Sequence, residues 1–113
     1  MLLYAIIAFA VAAIGGLILA SHVLRDRFAP WALSVVHALL GATGLVLLIV
    51  LALQGPASGR LTAALALLVL AALGGFFVAS FHLRRRIAPK AVVLVHAGVA
   101  VIGFLTLLSL LLH

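Results

Sequence analysis

Four long apolar runs, separated by three short breaks, constrain this chain more than any other feature of its sequence. A membrane helix needs about 20 apolar residues, and runs of at least that length occupy residues 2–24, 29–53, 61–83 and 88–112. Because 69% of the 113 residues are hydrophobic, a soluble domain of this size could not bury them. We therefore expect an all-α, transmembrane antiparallel four-helix bundle, with the first run retained as a span and not cleaved as a signal peptide.

The charged residues lie mainly in the breaks between the runs. Six of the seven Lys and Arg residues form two clusters, each after an odd-numbered run: Arg25, Arg27, Arg84, Arg85, Arg86 and Lys90. Since cationic loops stay in the cytoplasm, we expect both clusters there and both termini outside, in the plasma membrane of a bacterium (its inner membrane). Such clusters are typical of topology signals and lipid-headgroup contacts, so the net charge of +6 does not indicate nucleic-acid binding.

The second half of the chain repeats the first at an offset of 59 residues, as His96 repeats His37. Ala29-Pro30 returns as Ala88-Pro89, and each proline is expected in the first turn of the helix that follows. The interpretation is a single transmembrane domain over 1–113, made of a repeat at 1–53, a linker at 54–60 and a repeat at 61–113. Each repeat holds two runs, so the two repeats share one orientation and are related by a pseudo-two-fold axis along the membrane normal.

Two histidines lie deep in the second and fourth runs. At a rise of about 1.5 Å per residue, His37 and His96 lie roughly 10 Å below the boundary of the basic loops, whereas His22 and His82 lie within about 3 Å of it. His113 ends the chain and is expected to fray at the outer surface. A titratable ring in hydrocarbon is costly and indicates a function. Runs two and four are diagonal in a sequential bundle, so His37 and His96 are expected to face each other.

Small residues lie at or near the depth of these two histidines on all four helices. Helical spacing places several of them on the histidine faces, and two glycine pairs lie at a similar depth on the other two helices. We predict that they line a cavity for a flat ligand: Gly15, Gly16, Gly41, Gly44, Gly74, Gly75 and Gly103. The alternative is that they only let helices pack closely, which is the commoner use of small residues in membranes.

Two neutral imidazoles without a nearby carboxylate or thiolate suit a haem iron with two axial histidines. A zinc or copper ion requires three or four ligands, and a depth gap of about 7–10 Å separates the deep from the shallow histidines. One haem b is expected, and a second haem ligated by His22 and His82 is the alternative. With one haem, its propionates would meet polar groups near the basic loops. These are Ser21, Ser80, His22, His82, Arg25 and Arg84.

The remaining polar side chains have simpler expected roles. Asp26 is the one acidic residue of the chain, and we expect it to pair with Arg25 or Arg27. Serines within apolar helices commonly hydrogen-bond to the backbone of their own helix. That role is expected for Ser21, Ser34, Ser80 and Ser109. Without an intramembrane carboxylate, a proton-coupled transporter lacks its usual coupling group.

The four-span bundle with paired helix histidines resembles the small bis-histidine b-type cytochrome membrane subunits and, more loosely, the cytochrome b561-like superfamily. The resemblance rests on the architecture and on His37 and His96, with His22 and His82 as further candidates. It implies electron transfer by a non-catalytic carrier whose haem lies between helices 2 and 4 near the cytoplasmic side. The usual pattern of one haem near each membrane face is not matched, because no histidine lies within the outer half of any run.

The small size of the chain bears on its partners. We expect a homodimer or a subunit of a larger membrane redox complex, with a quinone as a candidate reactant. Two other functions stay open: a cofactor-free structural or assembly subunit whose histidines and glycines only pack helices, and a small transporter.

Overall fold

The structure, a computed structural model, describes residues 1–112, so the expectation for His113 lies outside it. Its helices, in chain order, are α1 (Leu2–Leu24), α2 (Trp31–Leu53), α3 (Gly59–Leu83) and α4 (Lys90–Leu108), followed by a 3-10 turn at Ser109–Leu111. Each helix falls close to one predicted run. The predicted all-α four-helix bundle is confirmed.

Prolines and one serine fix where three of the helices begin. Pro30 and Pro89 precede the first turns of α2 and α4 with extended backbones (ψ 134° and 136°), one position before their predicted place inside those turns. Proline is tolerated at this position because the N–H that it lacks would have no hydrogen-bond partner within the helix there. The hydroxyl of Ser58 accepts a hydrogen bond of 3.0 Å from the backbone N–H of Leu61. This cap starts α3 slightly before its predicted run.

The two basic loops turn in the same way. After α1, Asp26 has a left-handed backbone (φ 57°), and Arg85 has the same φ after α3. The N–H of Arg27 donates to the carbonyl of His22 at 2.8 Å, and the N–H of Arg86 donates to that of Phe81 at 2.8 Å. This is the Schellman ending of a helix, formed without the usual glycine. Equivalent positions in the two loops therefore have comparable geometry, although their side chains differ.

The helices pack in chain order around the bundle, with α4 returning to α1. Each hairpin, α1 with α2 and α3 with α4, packs more extensively within itself than against the other hairpin. We call the end with the basic loops (25–30 and 84–89) the loop end, and the opposite end, with residues 54–58, the linker end. The molecule measures 43 Å along its longest axis.

The buried core lies at the linker end. Its largest fully buried side chains are Leu48 and Leu107, which occupy equivalent positions in the two repeats. The cluster around them consists of Ala5, Ile6, Phe9, Leu61, Ala64 and Leu68. From the middle of the helices to the loop end, the buried helix residues are small or medium-sized, namely Ala12, Ala71 and Val93. The large-residue core therefore lies apart from the layer that contains His37 and His96.

All four helices are long and apolar enough to cross a membrane, with a mean hydropathy of 2.5–2.6 over their most apolar windows. Helices of 23 residues are about 34 Å long, which matches a hydrocarbon core of about 30 Å. Large apolar side chains cover the outside of the bundle, and Leu17 and Leu73, for example, are 64% and 59% exposed. In a bilayer, lipid tails cover this surface. The fold and composition define a helical membrane protein.

Candidate cofactor site

The structure brings the two deep histidines together. His37 projects from α2 and His96 from α4, and their ring centroids are 6.4 Å apart with the ring planes perpendicular. The helices that carry them are diagonal in the bundle, as the sequence predicted. The two side chains therefore lie close together, as their equal depth on diagonal helices predicted.

Both imidazoles are held by the same contact within their own hairpin. Nδ1 of His37 lies 2.8 Å from the carbonyl oxygen of Ala12 on α1, and Nδ1 of His96 lies 2.7 Å from that of Ala71 on α3. A carbonyl oxygen only accepts hydrogen bonds, so Nδ1 must donate in both rings. In a neutral ring, the lone pair is then on Nε2. Over residues 1–112, neither Nε2 atom has a hydrogen-bond partner, so both imidazoles are oriented through Nδ1 alone.

The glycine pairs make room for these rings. A Cβ at Gly16 would lie 2.9 Å from Cε1 of His37, and a Cβ at Gly75 would lie 3.0 Å from Cε1 of His96. Gly15 and Gly74 contribute ordinary contacts to the same two histidines, at 3.6–4.0 Å. We predicted that these four glycines line a ligand cavity. The structure shows instead that imidazoles of this chain fill the space beside Gly16 and Gly75, whereas Gly74 also lines an open groove.

Two other predicted cavity residues also contact side chains of the chain itself. A Cβ at Gly44 would lie 2.7 Å from the ring of Phe9. At Gly103 the nearest atoms belong to Leu67 and Leu68, at 3.1 Å. Both glycines permit close helix packing, which is the alternative considered for small residues. Gly41 is the member of the predicted set that faces open space, because no atom lies within 4 Å of its Cβ position.

The shallow histidines do not form a second pair. Nδ1–H of His22 donates to the carbonyl of Ile18 in its own helix at 2.8 Å. His82 instead lies between aromatic rings, stacked on Trp31 at 3.8 Å and edge-on to Phe28 at 4.5 Å. Among residues 1–112, its Nε2 is the buried side-chain nitrogen without a hydrogen-bond partner. The two side chains have different surroundings, which departs from their common predicted role beside a propionate.

Ser34 holds His82 from the neighbouring repeat. Its hydroxyl and Nδ1 of His82 form a hydrogen bond of 2.9 Å between α2 and α3. The prediction that Ser34 bonds to its own helix is wrong. The same prediction is confirmed for Ser21, Ser80 and Ser109, whose hydroxyls each donate to the carbonyl three residues earlier at 2.6 Å. The sequence contains a sign that Ser34 has a special role, because the equivalent residue in the second repeat is the apolar Val93.

The arginines predicted near a propionate are bound to their own helix ends. Nε–H of Arg25 donates to the carbonyl of Ser21 at 3.0 Å, and Nε–H of Arg84 donates to that of Ser80 at 3.1 Å. The predicted pairing of Asp26 with Arg25 or Arg27 is wrong. Its carboxylate pairs with Lys90 at 3.3 Å, across the contact between the two repeats.

An apolar groove between α3 and α4 reaches His96 from the outside of the bundle. It encloses about 360 Å³, and Gly74, Phe77 and Val95 are among its walls. Phe77 and Val95 are 53% and 66% exposed, so the groove opens where lipid would lie. Within residues 1–112, no three His, Cys, Asp or Glu side chains are close enough to bind a metal ion together.

Comparison of the chain with family models, with curated proteins and with solved structures finds no match. The resemblance to bis-histidine cytochromes therefore stays a prediction.

Proposed function

We propose that the chain is a membrane-embedded b-type haem protein for electron transfer, with His37 and His96 as the axial ligands of one haem. The observation that carries the proposal is the pair of neighbouring imidazoles, each held through Nδ1 by a backbone carbonyl while Nε2 forms no hydrogen bond. Backbone carbonyls that accept from Nδ1–H orient ligand histidines and make Nε2 more basic. Two imidazole nitrogens without a nearby carboxylate or thiolate are a donor set that suits a haem iron.

The closeness of the rings supports the same ligand. The centroids of His37 and His96 are 6.4 Å apart, so one cofactor could contact both side chains. The large buried side chains, Leu48 and Leu107, lie at the linker end, away from this layer. Gly41, on the face of α2 that carries His37, has no neighbour that would oppose a ligand.

In this proposal the haem supplies one-electron exchange, and the chain positions it. His37 and His96 would bind the iron, while the carbonyls of Ala12 and Ala71 keep the two rings in orientation. The packed core at the linker end excludes water from that side of the layer. The positive-inside rule places the loop end, and hence the haem, near the cytoplasmic side of a plasma membrane, with the N- and C-termini outside.

We further propose that the chain carries electrons for partners and does not transform a substrate alone. Its loops between helices are short, so a soluble partner has little surface to contact, which favours a homodimer or a larger membrane redox complex. The groove beside His96 opens towards lipid, so a quinone is a reactant that could approach the site from the bilayer.

The second candidate function is a cofactor-free membrane subunit in which the histidines join helices. It is favoured by the close fit of each imidazole beside Gly16 or Gly75 and by the hydrogen bond to the partner helix of its hairpin. Such interhelical bonds contribute about 0.6 kcal/mol on average in membranes. This function needs the contacts of Nδ1 but leaves Nε2 without a role.

Absorption spectra of the purified wild-type chain, four single variants and one double variant separate the two functions. After expression with ample haem, we expect the wild-type chain to show a Soret band that sharpens and shifts on dithionite reduction. His37→Ala and His96→Ala should abolish it, whereas His22→Ala and His82→Ala should keep at least part of it. A colourless wild-type protein would support the cofactor-free subunit. Haem retained in the His37→Ala/His96→Ala double variant would assign the ligands to the shallow histidines.

A further inference from the structure

At the loop end, the two repeats carry different charges, although their loops have the same backbone conformation. Asp26 and Arg85 are equivalent positions, and both have a φ of 57°. The first residues of α2 and α4 are also equivalent, and they are Trp31 and Lys90. At the contact between α1 and α4, Asp26 therefore meets Lys90. At the equivalent contact between α3 and α2, Arg85 lies near Trp31.

At the first of these contacts, the charges are neutralised. The carboxylate of Asp26 lies 3.3 Å from Nζ of Lys90. At the second contact, no such neutralisation occurs, because Asp26 is the one acidic side chain of the whole chain. Over residues 1–112, the guanidinium of Arg85 has neither a hydrogen bond nor an ion pair within the chain, whereas Arg84 beside it donates to the backbone and hydroxyl of Ser80.

Arg85 also lies in a depression with apolar walls, which we call the Arg85 corner. Its other lining residues are Phe28, Trp31 and Ile87, and these three are 41%, 45% and 41% exposed. Stacking on His82 at 3.8 Å fixes the orientation of the Trp31 ring. The Arg85 corner therefore combines an unpaired cation with an oriented tryptophan ring and further apolar walls at the end of a membrane helix.

We propose that the Arg85 corner binds the headgroup of an anionic phospholipid, at one site per chain despite the two-fold repeat. The guanidinium would donate to the phosphate oxygens in a charge-assisted, bidentate contact. Trp31 and Phe28 would pack against the glycerol and the first acyl carbons, as aromatic residues do at membrane interfaces. The equivalent place in the other repeat is excluded because a carboxylate stands there, already paired with a lysine. The proposal is independent of haem binding.

Native mass spectrometry of the detergent-purified full chain tests it. We expect one molecule of phosphatidylglycerol to bind more tightly than any further one, and more tightly than phosphatidylcholine. Arg85→Gln should weaken that first binding about fivefold, as expected for one cation at a membrane surface. Arg86→Gln is the matched control, since it removes the same charge from the same loop but lies outside the lining of the Arg85 corner.

Three results would overturn the proposal. Equal weakening by Arg85→Gln and Arg86→Gln would show that the loops attract lipid only through their summed charge. Two equally tight phosphatidylglycerol molecules per chain would show that both loops bind alike. Displacement of the lipid by an equal concentration of inorganic phosphate would assign the corner to a free anion. Circular dichroism should show unchanged helix content and melting in both variants, because both arginine side chains are exposed and neither forms a hydrogen bond or ion pair within residues 1–112.

Discussion

Gly16→Ala should displace the imidazole of His37, and this change tests the link between helix packing and the candidate site. The new Cβ would lie 2.9 Å from Cε1 of His37, closer than two carbons approach without strain, and helix backbone fixes both elements. Overpacking of this kind costs about 1–3 kcal/mol. Displacing the ring also breaks its hydrogen bond to Ala12, worth roughly 0.6–2 kcal/mol in a membrane. The better helix propensity of alanine returns at most about 1 kcal/mol.

The net expectation is a loss of about 1–4 kcal/mol in the free energy of unfolding, measured by titration with sodium dodecyl sulfate in mixed micelles. Gly15→Ala is the control, because its Cβ would find ordinary contacts at 3.7 Å and 4.0 Å. That variant should be neutral or slightly more stable. If haem is bound, Gly16→Ala should also weaken or alter the Soret band while Gly15→Ala preserves it.

The reasoning would be refuted if Gly16→Ala and Gly15→Ala had equal stability and equal spectra. That result would mean that the ring of His37 is free to move away from α1, so that the hydrogen bond to Ala12 does not orient it.

Three further changes test other parts of the structure. Leu48→Ala removes a fully buried side chain from the linker-end core and should cost about 2–5 kcal/mol by the same titration, whereas Leu53→Ala, at an 82% exposed position, should cost little. His82→Ala removes the ring stacked on Trp31, the one tryptophan of the chain, so the tryptophan emission should change in intensity and wavelength; an unchanged spectrum would contradict the stacking. Asp26→Asn breaks an ion pair whose side chains are 50% and 75% exposed, so stability should fall by less than about 1 kcal/mol.

Hydropathy and the repeat were sufficient to predict the four helices, their order and the closeness of the two deep histidines, which lie on diagonal helices. Helix length is set by the bilayer, and depth along a helix follows from residue count alone. His37 and His96 could therefore be placed at one level from sequence. Their diagonal arrangement followed from the short connections.

The partners of individual side chains could not be predicted in the same way, because they depend on how each helix is rotated about its axis. Gly16 and Gly75 were correctly placed near the histidine layer, but the sequence does not show whether an imidazole or a ligand fills the space beside them. Asp26 has cationic neighbours on both sides in sequence, and its partner Lys90 comes from the other repeat.

The differences between the repeats held information that periodicity alone does not use. Ser34 corresponds to Val93 and Trp31 to Lys90, and these positions are where the two contacts between repeats diverge. A polar or aromatic residue whose equivalent in the other repeat has a different chemical character indicates an asymmetric contact. His82 and its neighbours are the case in this chain.

The haem content of the purified wild-type chain tests the central claim most directly. A pyridine haemochrome assay, combined with the protein concentration and a low-temperature electron paramagnetic resonance spectrum, gives the number of haems per chain and their ligation. We expect one haem b per chain with the low-spin, six-coordinate signature of two axial imidazoles. A chain that stays without haem when haem is abundant, or that binds it in a high-spin, five-coordinate form, would contradict this expectation.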